Sequence, residues 1–203
     1  MAKRTPKKPK SSQPQDAVQL LKADHKQVRK LFEQFHGAAD DDKGSIASRL
    51  FTELDIHSKL EEELFYPAVQ SKLESLGYDA QGNGLDVTDD GEIDPESEGE
   101  IDGVELEELD DQEEEEAESE IITAAYDSHS MVKDLIQQLR TLDPKSSDYR
   151  DLFTELEDAV IEHVTEEEDT ILPLAAAQLD VQTLGVTMQR RKDDLTSQSP
   201  LAA

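Results

Sequence analysis

The sequence contains no cysteine and no apolar run that approaches the length of a membrane span. Without cysteine the chain can form no disulfide and can bind neither zinc nor an iron–sulfur cluster through sulfur. A membrane-spanning helix needs about 20 consecutive, mostly apolar residues, so none is expected. The basic N-terminus is followed by no apolar segment, which excludes a secretory signal. These absences predict a cytoplasmic protein with no membrane partner.

Basic residues are few, and one long segment has none. The net charge of −29 comes from 49 acidic and 20 basic residues, and residues 86–120 hold 20 of the acidic ones without a lysine or arginine. The rest of the chain carries −9, and this balance argues against nucleic-acid binding by the body of the protein. From composition we expect a disordered basic tail at 1–14, a disordered acidic insertion at 78–118 and a polar tail at 196–203.

Four segments have apolar residues at helical spacing, and the fold class we predict is therefore all-α. They cover about 15–37, 43–72, 119–141 and 148–178. Gly37 is a plausible helix end, and Asp143 to Ser147 has the composition of a turn. A short fifth helix is expected near 180–195.

The four helices form an internal repeat. The apolar stripe of the first helix recurs 104 residues later in the third, and the second helix recurs in the fourth with an offset of 106. The matched positions include Leu21 with Ala125, His25 with His129, Val28 with Val132, His57 with His163, Glu61 with Glu167 and Pro67 with Pro173. Two similar helical hairpins pack naturally as an antiparallel up-down four-helix bundle, which we expect to span 15–195, interrupted by the acidic insertion.

Four of the five histidines lie in the apolar stripes of four different helices, and two of them are followed four residues later by a glutamate. These residues are His25, His57, His129, His163, Glu61 and Glu167. Residues at i and i+4 are neighbours on one helix face, so each His-x-x-x-Glu pair can point two ligand atoms at one place. A lone histidine is more often a hydrogen-bonded core residue, but burying this whole set without partners would cost several kcal/mol. Bound cations would compensate, and imidazole with carboxylate suits iron, manganese or zinc.

The alternative metal site of helical bundles is the ferritin-like one, which needs two Glu-x-x-His motifs. Only Glu33 and His36 have that spacing. His36 lies about 16 Å along the helix from His25, at 1.5 Å per residue. We therefore interpret His36 as a helix-end residue and not as a ligand.

The order His, His-x-x-x-Glu, His, His-x-x-x-Glu on four helices resembles the hemerythrin-like HHE cation-binding domain of bacterial type. The segments Leu-Leu-Lys-Ala-Asp-His at 20–25 and His-Ser-Lys-Leu-Glu-Glu-Glu-Leu-Phe-Tyr-Pro at 57–67 carry the resemblance, which covers about 16–76 and 119–195. It implies two iron ions joined by an oxo or hydroxo bridge. The four histidines named above would bind them, and Glu61 and Glu167 would bridge them.

The third helix departs from the oxygen-carrying hemerythrins, which have a second histidine one turn away. Here the positions four residues either side of His129 are Ala125 and Lys133. One ligand is therefore missing or supplied by another group, and this argues against a simple oxygen carrier. Tyr126, three residues before His129, is one candidate additional ligand; the others are Glu62, Glu166 and water.

Two prolines lie ten residues after a histidine of the candidate site. Pro67 and Pro173 each predict a bend or an end of the helix. The alternative interpretation is that they set the spacing of the ligands.

The function expected from these features is the binding of, or reaction with, a small oxidant such as O₂, NO or peroxide, for sensing or scavenging. The sequence assigns no enzymatic activity, although weak peroxide or NO chemistry stays open. The alternatives are an iron storage or handling protein, and an interaction module in which the acidic insertion binds a protein partner.

Overall fold

The computed structural model describes residues 15–75 and 111–199, with all their side chains except those of residues 74 and 111–120. The predicted basic tail and most of the predicted acidic insertion lie outside these ranges. In chain order the described helices are α1 (Ala17–Gly37), α2 (Asp40–Leu60), α3 (Tyr66–Ser75), α4 (Asp111–Leu139), α5 (Ser147–Glu166), α6 (Leu172–Gln178) and α7 (Val181–Gln198). A π-helical turn, Glu61–Phe65, joins α2 to α3, and a second one, Glu167–Ile171, joins α5 to α6.

The helices form the predicted all-α bundle of two hairpins. Helix α1 packs along α2, and α4 packs along α5. Two apolar layers fill the interior. The first layer, near the connections inside the hairpins, includes Phe32, Phe35, Leu50, Phe153 and Leu156. The second layer, at the other end, includes Leu20, Leu60, Phe65, Ile122, Leu172 and Met188.

The ends of the helices follow local sequence signals. Asp16 caps α1, its carboxylate accepting the backbone N–H of Gln19 at 2.8 Å. Helix α1 ends at Gly37, as predicted. The predicted turn before α5 is present, and the Ser146 hydroxyl accepts the N–H of Tyr149 at 3.1 Å. Such caps satisfy backbone groups that a helix leaves without partners.

Two predicted boundaries are wrong. Helix α4 begins at Asp111 rather than near 119, so residues 111–118 of the predicted disordered insertion are helical. Glutamate is a good helix former, and negative charge near a helix N-terminus is favoured by the helix dipole. Helix α7 extends to Gln198, so residues 196–198 of the predicted polar tail are also helical.

At both prolines the helix continues, but a π turn precedes the proline. Pro67 has no N–H to donate to the carbonyl four residues earlier. In the turn before it, the Tyr66 N–H instead donates to the carbonyl of Glu61, five residues back. The second hairpin repeats this pattern, with the Leu172 N–H donating to Glu167 before Pro173. Each proline therefore accompanies a π turn whose first residue is a predicted ligand glutamate.

The predicted fifth helix, α7, packs on α1, α2 and the first π turn. A β-carbon added at Gly185 would lie 2.5 Å from the carbonyl oxygen of Gln15 and 2.6 Å from the backbone nitrogen of Ala17. Only glycine allows this close approach. Further along α7, Met188 is fully buried, and Arg191 donates two hydrogen bonds to the Glu63 carboxylate, at 2.6 and 3.0 Å. Within the described ranges no helix is long and apolar enough to cross a membrane.

Candidate metal centre

The structure brings the six predicted ligand residues together between the two apolar layers. They come from four helical segments of the repeat, and all six side chains are buried. The histidines form two pairs: the ring centroids of His25 and His57 are 4.8 Å apart, and those of His129 and His163 are 4.7 Å apart. The pairing follows from the repeat, because each pair takes one histidine from each of the two helices of a hairpin: α1 and α2, or α4 and α5.

The Glu61 carboxylate lies between the two histidine pairs. Its Oε1 atom is 3.1 Å from His57 Nε2, and its Oε2 atom is 3.2 Å from His129 Nε2. Glu167 approaches the first pair, with its Oε2 atom 3.0 Å from His25 Nε2. Two groups of potential ligand atoms result: one from His25, His57, Glu61 and Glu167, the other from Glu61, His129 and His163. Glu61 belongs to both groups, which is the placement a bridging ligand requires.

The ligand atoms of the first group have no hydrogen-bond partner among the described residues. They include His25 Nε2, His57 Nε2 and both carboxylate oxygens of Glu61 and of Glu167. Buried polar atoms are almost always paired, and an unpaired buried carboxylate is costly. The four imidazoles and two carboxylates therefore fit cations that take nitrogen and oxygen ligands, as iron, manganese and zinc do.

Burial controls the charge of the candidate ligands. It lowers the pKa of His129 to about 4 and that of His163 to about 3, and it lowers the pKa of His57 as well. These imidazoles are neutral at pH 7 and keep a lone pair for a metal. Burial also raises the pKa of Glu61 well above its usual range, and the nearby Glu167 carboxylate adds to this. Two carboxylates so close need positive charge between them to be ionised together.

Two of the histidines are oriented by a hydrogen bond to a carboxylate, and each carboxylate also accepts a hydrogen bond from a basic side chain. His25 Nδ1 donates to Glu168 at 2.9 Å, and Arg29 donates to the same oxygen at 3.0 Å. His129 repeats the arrangement in the other hairpin. Its Nδ1 atom donates to Glu62 at 2.8 Å, and Lys133 donates to that oxygen at 2.6 Å. Because Nδ1 carries the proton, Nε2 of each ring is free to bind a metal.

His57 also has a carboxylate near its Nδ1 atom, but at a longer distance, and the basic side chain that contacts this carboxylate comes from α7. Its Nδ1 atom lies 3.9 Å from Asp24 Oδ2, beyond hydrogen-bond distance. The Asp24 carboxylate accepts a hydrogen bond from Lys192 of α7. Burial alone would raise the pKa of Asp24, but His57 and Lys192 outweigh burial and lower it. The fifth helix thus reaches one wall of the candidate centre.

A tyrosine that the sequence did not single out lies beside the second histidine pair. Tyr66 is fully buried, and its hydroxyl oxygen is 3.5 Å from His129 Nε2. In a regular α-helix a residue five positions after Glu61 would point away from it, but the π turn has more residues per turn and brings Tyr66 onto the same side. The Tyr-Pro sequence just after a ligand motif was the available signal, since proline marks the irregular turn.

The other ligand candidates lie outside this cluster. Tyr126 is partly exposed and packs edge-on against Tyr66, with ring centroids 5.2 Å apart. Glu62 binds His129 Nδ1 and Lys133, as described above, and Glu166 is exposed. His36 is 54% exposed and pairs with Glu157, in agreement with its interpretation as a helix-end residue.

Residues 16–86 match the family model described as the hemerythrin HHE cation binding domain. The resemblance to the hemerythrin HHE family is confirmed. A crystal structure of a hemerythrin HHE cation binding domain-containing protein from Mycobacterium kansasii shares the fold, with a TM-score of 0.62 at 18% identity, over 91% of this chain and 89% of that one. A curated protein from Nostoc sp., described as a DNA nickase, is 24% identical over 153 residues, which are 75% of this chain but 31% of that protein. The chain thus spans less than a third of this relative.

The hemerythrin HHE match contains His25, His57 and Glu61 and ends before the second hairpin. The internal repeat extends the hemerythrin-like pattern to the rest of the site, since His129, His163 and Glu167 occupy the equivalent positions. The candidate metal centre is therefore built from both hairpins, and each supplies two histidines and one glutamate.

Proposed function

We propose that the chain is a hemerythrin-like diiron protein that binds or reacts with a small oxidant such as O₂, NO or peroxide, for sensing or scavenging. The observation that carries the proposal is the set of buried, unpartnered carboxylate oxygens of Glu61, which lies between the two histidine pairs, and of Glu167, which lies beside the first pair. A carboxylate with one oxygen toward each pair is arranged for two cations rather than one.

One ion would be held by His25 and His57, the other by His129 and His163. Glu61 would bridge them, with Glu167 as the second bridging carboxylate. Iron held by imidazole and carboxylate supplies redox chemistry toward small oxidants when it is bound. Tyr66 and Tyr126 are the protein oxygens proposed as an additional ligand on the His129 side.

The chain's own residues determine what can reach the centre. On the side of the first apolar layer, Val28, Leu54, Val132 and Val160 line a space of about 10 Å³ beneath the histidines. Such a space holds at most about one water molecule. On this side of the centre the valine and leucine side chains therefore exclude bulk water and leave room only for small molecules.

The alternatives from the sequence receive less support. Iron storage needs room for many ions, whereas this cluster offers two groups of ligands. The nickase activity named for the Nostoc relative is not carried over, because the chain spans less than a third of that protein and its net charge of −29 disfavours contact with DNA.

Stopped-flow absorption spectroscopy of the iron-loaded, reduced protein tests the proposal. Mixing with O₂, NO or hydrogen peroxide in separate experiments should change the iron absorption, with saturation near one oxidant molecule per chain or with turnover of peroxide. Metal uptake well beyond two ions per chain would favour storage instead. An iron-loaded protein whose spectrum responds to none of the three oxidants would contradict the proposal.

A further inference from the structure

The two hairpins are similar in sequence, but their outer surfaces differ. Helix α7 packs over the first hairpin and the first π turn. Among the described residues, no helix packs over the second hairpin in the equivalent way. The repeat identifies the equivalent surface there, with offsets of 104 and 106 residues. It lies over His163 and Glu167.

Three leucines of the first hairpin that share an apolar cluster with α7 have different counterparts on the second hairpin. Leu20 and Leu60 are fully buried, and Leu64 packs against the same apolar cluster, which also contains Met188 and Leu184 of α7. Their counterparts on the second hairpin are all exposed and are smaller or charged: Ala124, Glu166 and Thr170. A surface kept for an apolar helix would have retained the leucines, so this surface is not suited to such a partner.

A cavity of about 210 Å³ occupies this place. The exposed residues at its mouth are Ala124, Glu166 and Thr170, and the buried residues at its inner end include His163 and Glu167. This volume admits a molecule of a few atoms with its water. The cavity therefore joins the protein surface to Glu167 and to His163, one of the two histidines that would hold the second ion in the proposed function.

We propose that this cavity is the entry route and binding subsite for a small neutral molecule at the ion held by His129 and His163, an inference that rests on the proposed diiron function. Ala124 and Thr170 limit the size of the molecule by the width of the mouth. The Glu166 carboxylate, in a chain with a net charge of −29, opposes the entry of anions and leaves neutral molecules unaffected. On the side of the ion that His25 and His57 would hold, the described residues leave no equivalent route, because α7 covers that hairpin.

Substitutions that restore the first hairpin's leucines test this route. In the iron-loaded protein, Ala124→Leu or Thr170→Leu should lower the association rate of nitric oxide and of azide at least tenfold, without changing iron content or thermal midpoint. Ala177→Leu is the matched control, since Ala177 is an exposed helical alanine of α6 outside the cavity, and it should leave both rates unchanged. Glu166→Gln should raise the azide rate at low ionic strength and leave the nitric oxide rate unaltered.

The outcomes separate this inference from the proposed function. If the parent binds both probes and the two leucine variants bind them at the parent's rate, the route is wrong while the diiron function stands. If the iron-loaded parent binds neither probe, the route fails. The spectra with O₂ and peroxide then show whether the proposed function fails with it.

Discussion

At the scale of single residues, the position of a carboxylate decides its role. Glu61→Ala or Glu167→Ala should reduce the iron content of the purified protein by at least one ion per chain, because each removes one of the two carboxylates proposed to bridge the ions. Glu63→Ala is the control: Glu63 is 41% exposed and pairs with Arg191 on the surface, and such pairs contribute about 0–1 kcal/mol. Metal analysis that found equal iron in all three variants would show that the bridging carboxylates have been misidentified.

The carboxylates that accept the Nδ1 protons of the histidines should affect how tightly metal is bound, but their loss should not abolish binding. Glu62→Gln or Glu168→Gln weakens the acceptor for the Nδ1 proton of His129 or His25, and loss of such support typically lowers metal affinity by about 10–100-fold. Competition with a chelator measures this effect. The exposed Glu155→Gln should behave like the parent. Unchanged iron affinity in both histidine-partner variants would mean that packing alone orients the rings.

The additional ligand can be assigned by comparing two tyrosines. Tyr66→Phe should alter the visible spectrum of the ferric protein, because it removes the hydroxyl group 3.5 Å from His129 Nε2. Tyr126→Phe, from the same pair of packed rings, should alter it only if the sequence-based prediction of a Tyr126 ligand is correct. Two spectra identical to the parent's would leave the position to water or a small ligand.

The sequence alone indicated which six side chains would meet in the interior as candidate ligands, because helical periodicity and the repeat place each of them on an inward stripe. It did not indicate Tyr66, since its spacing from Glu61 is wrong for a regular α-helix. Nor did it indicate Asp24 with Lys192, or Glu168 with Arg29, because these contacts join helices far apart in the chain. Long-range pairing of charged side chains has no periodic signature.

At the scale of the helices, α7 depends on one close backbone approach. Gly185→Ala would place a β-carbon 2.5 Å from the Gln15 carbonyl, and the required shift should lower the free energy of unfolding by about 1–3 kcal/mol. Gly44→Ala is the matched control, since its β-carbon would meet only Pro144 at 3.5 Å; it should be neutral or stabilise α2 by up to about 1 kcal/mol. Urea denaturation that gave equal losses for both variants would show that α7 is not held by this contact.

The helix boundaries show which local signals a sequence carries. Gly37 and the turn composition of Asp143 to Ser147 marked their helix ends correctly, because such end signals are local. The start of α4 was missed, since an acidic run without apolar residues has the composition of a disordered segment as well as that of a helix N-terminus. The π turns were expected only as bends, because proline alone does not reveal how the lost hydrogen bond is replaced.

At the scale of the whole molecule, the repeat explains both the symmetry of the centre and its asymmetry. Equivalent positions supply His25 and His129, or Glu61 and Glu167, so the two halves of the ligand set match. The halves differ at other equivalent positions. Tyr66 of the first hairpin corresponds to Leu172 of the second, and the surface that α7 covers on the first hairpin corresponds to a cavity on the second. The bundle could be predicted from the repeat, whereas the cavity could not, because only the packing of α7 reveals which surface is left open.

Metal analysis of protein produced with iron, combined with its absorption spectrum, tests the central claim most directly. The account predicts close to two iron ions per chain and the near-ultraviolet bands of an oxo-bridged ferric pair, because six buried ligands surround two adjacent positions with Glu61 between them. One tightly held zinc ion and no iron would contradict it.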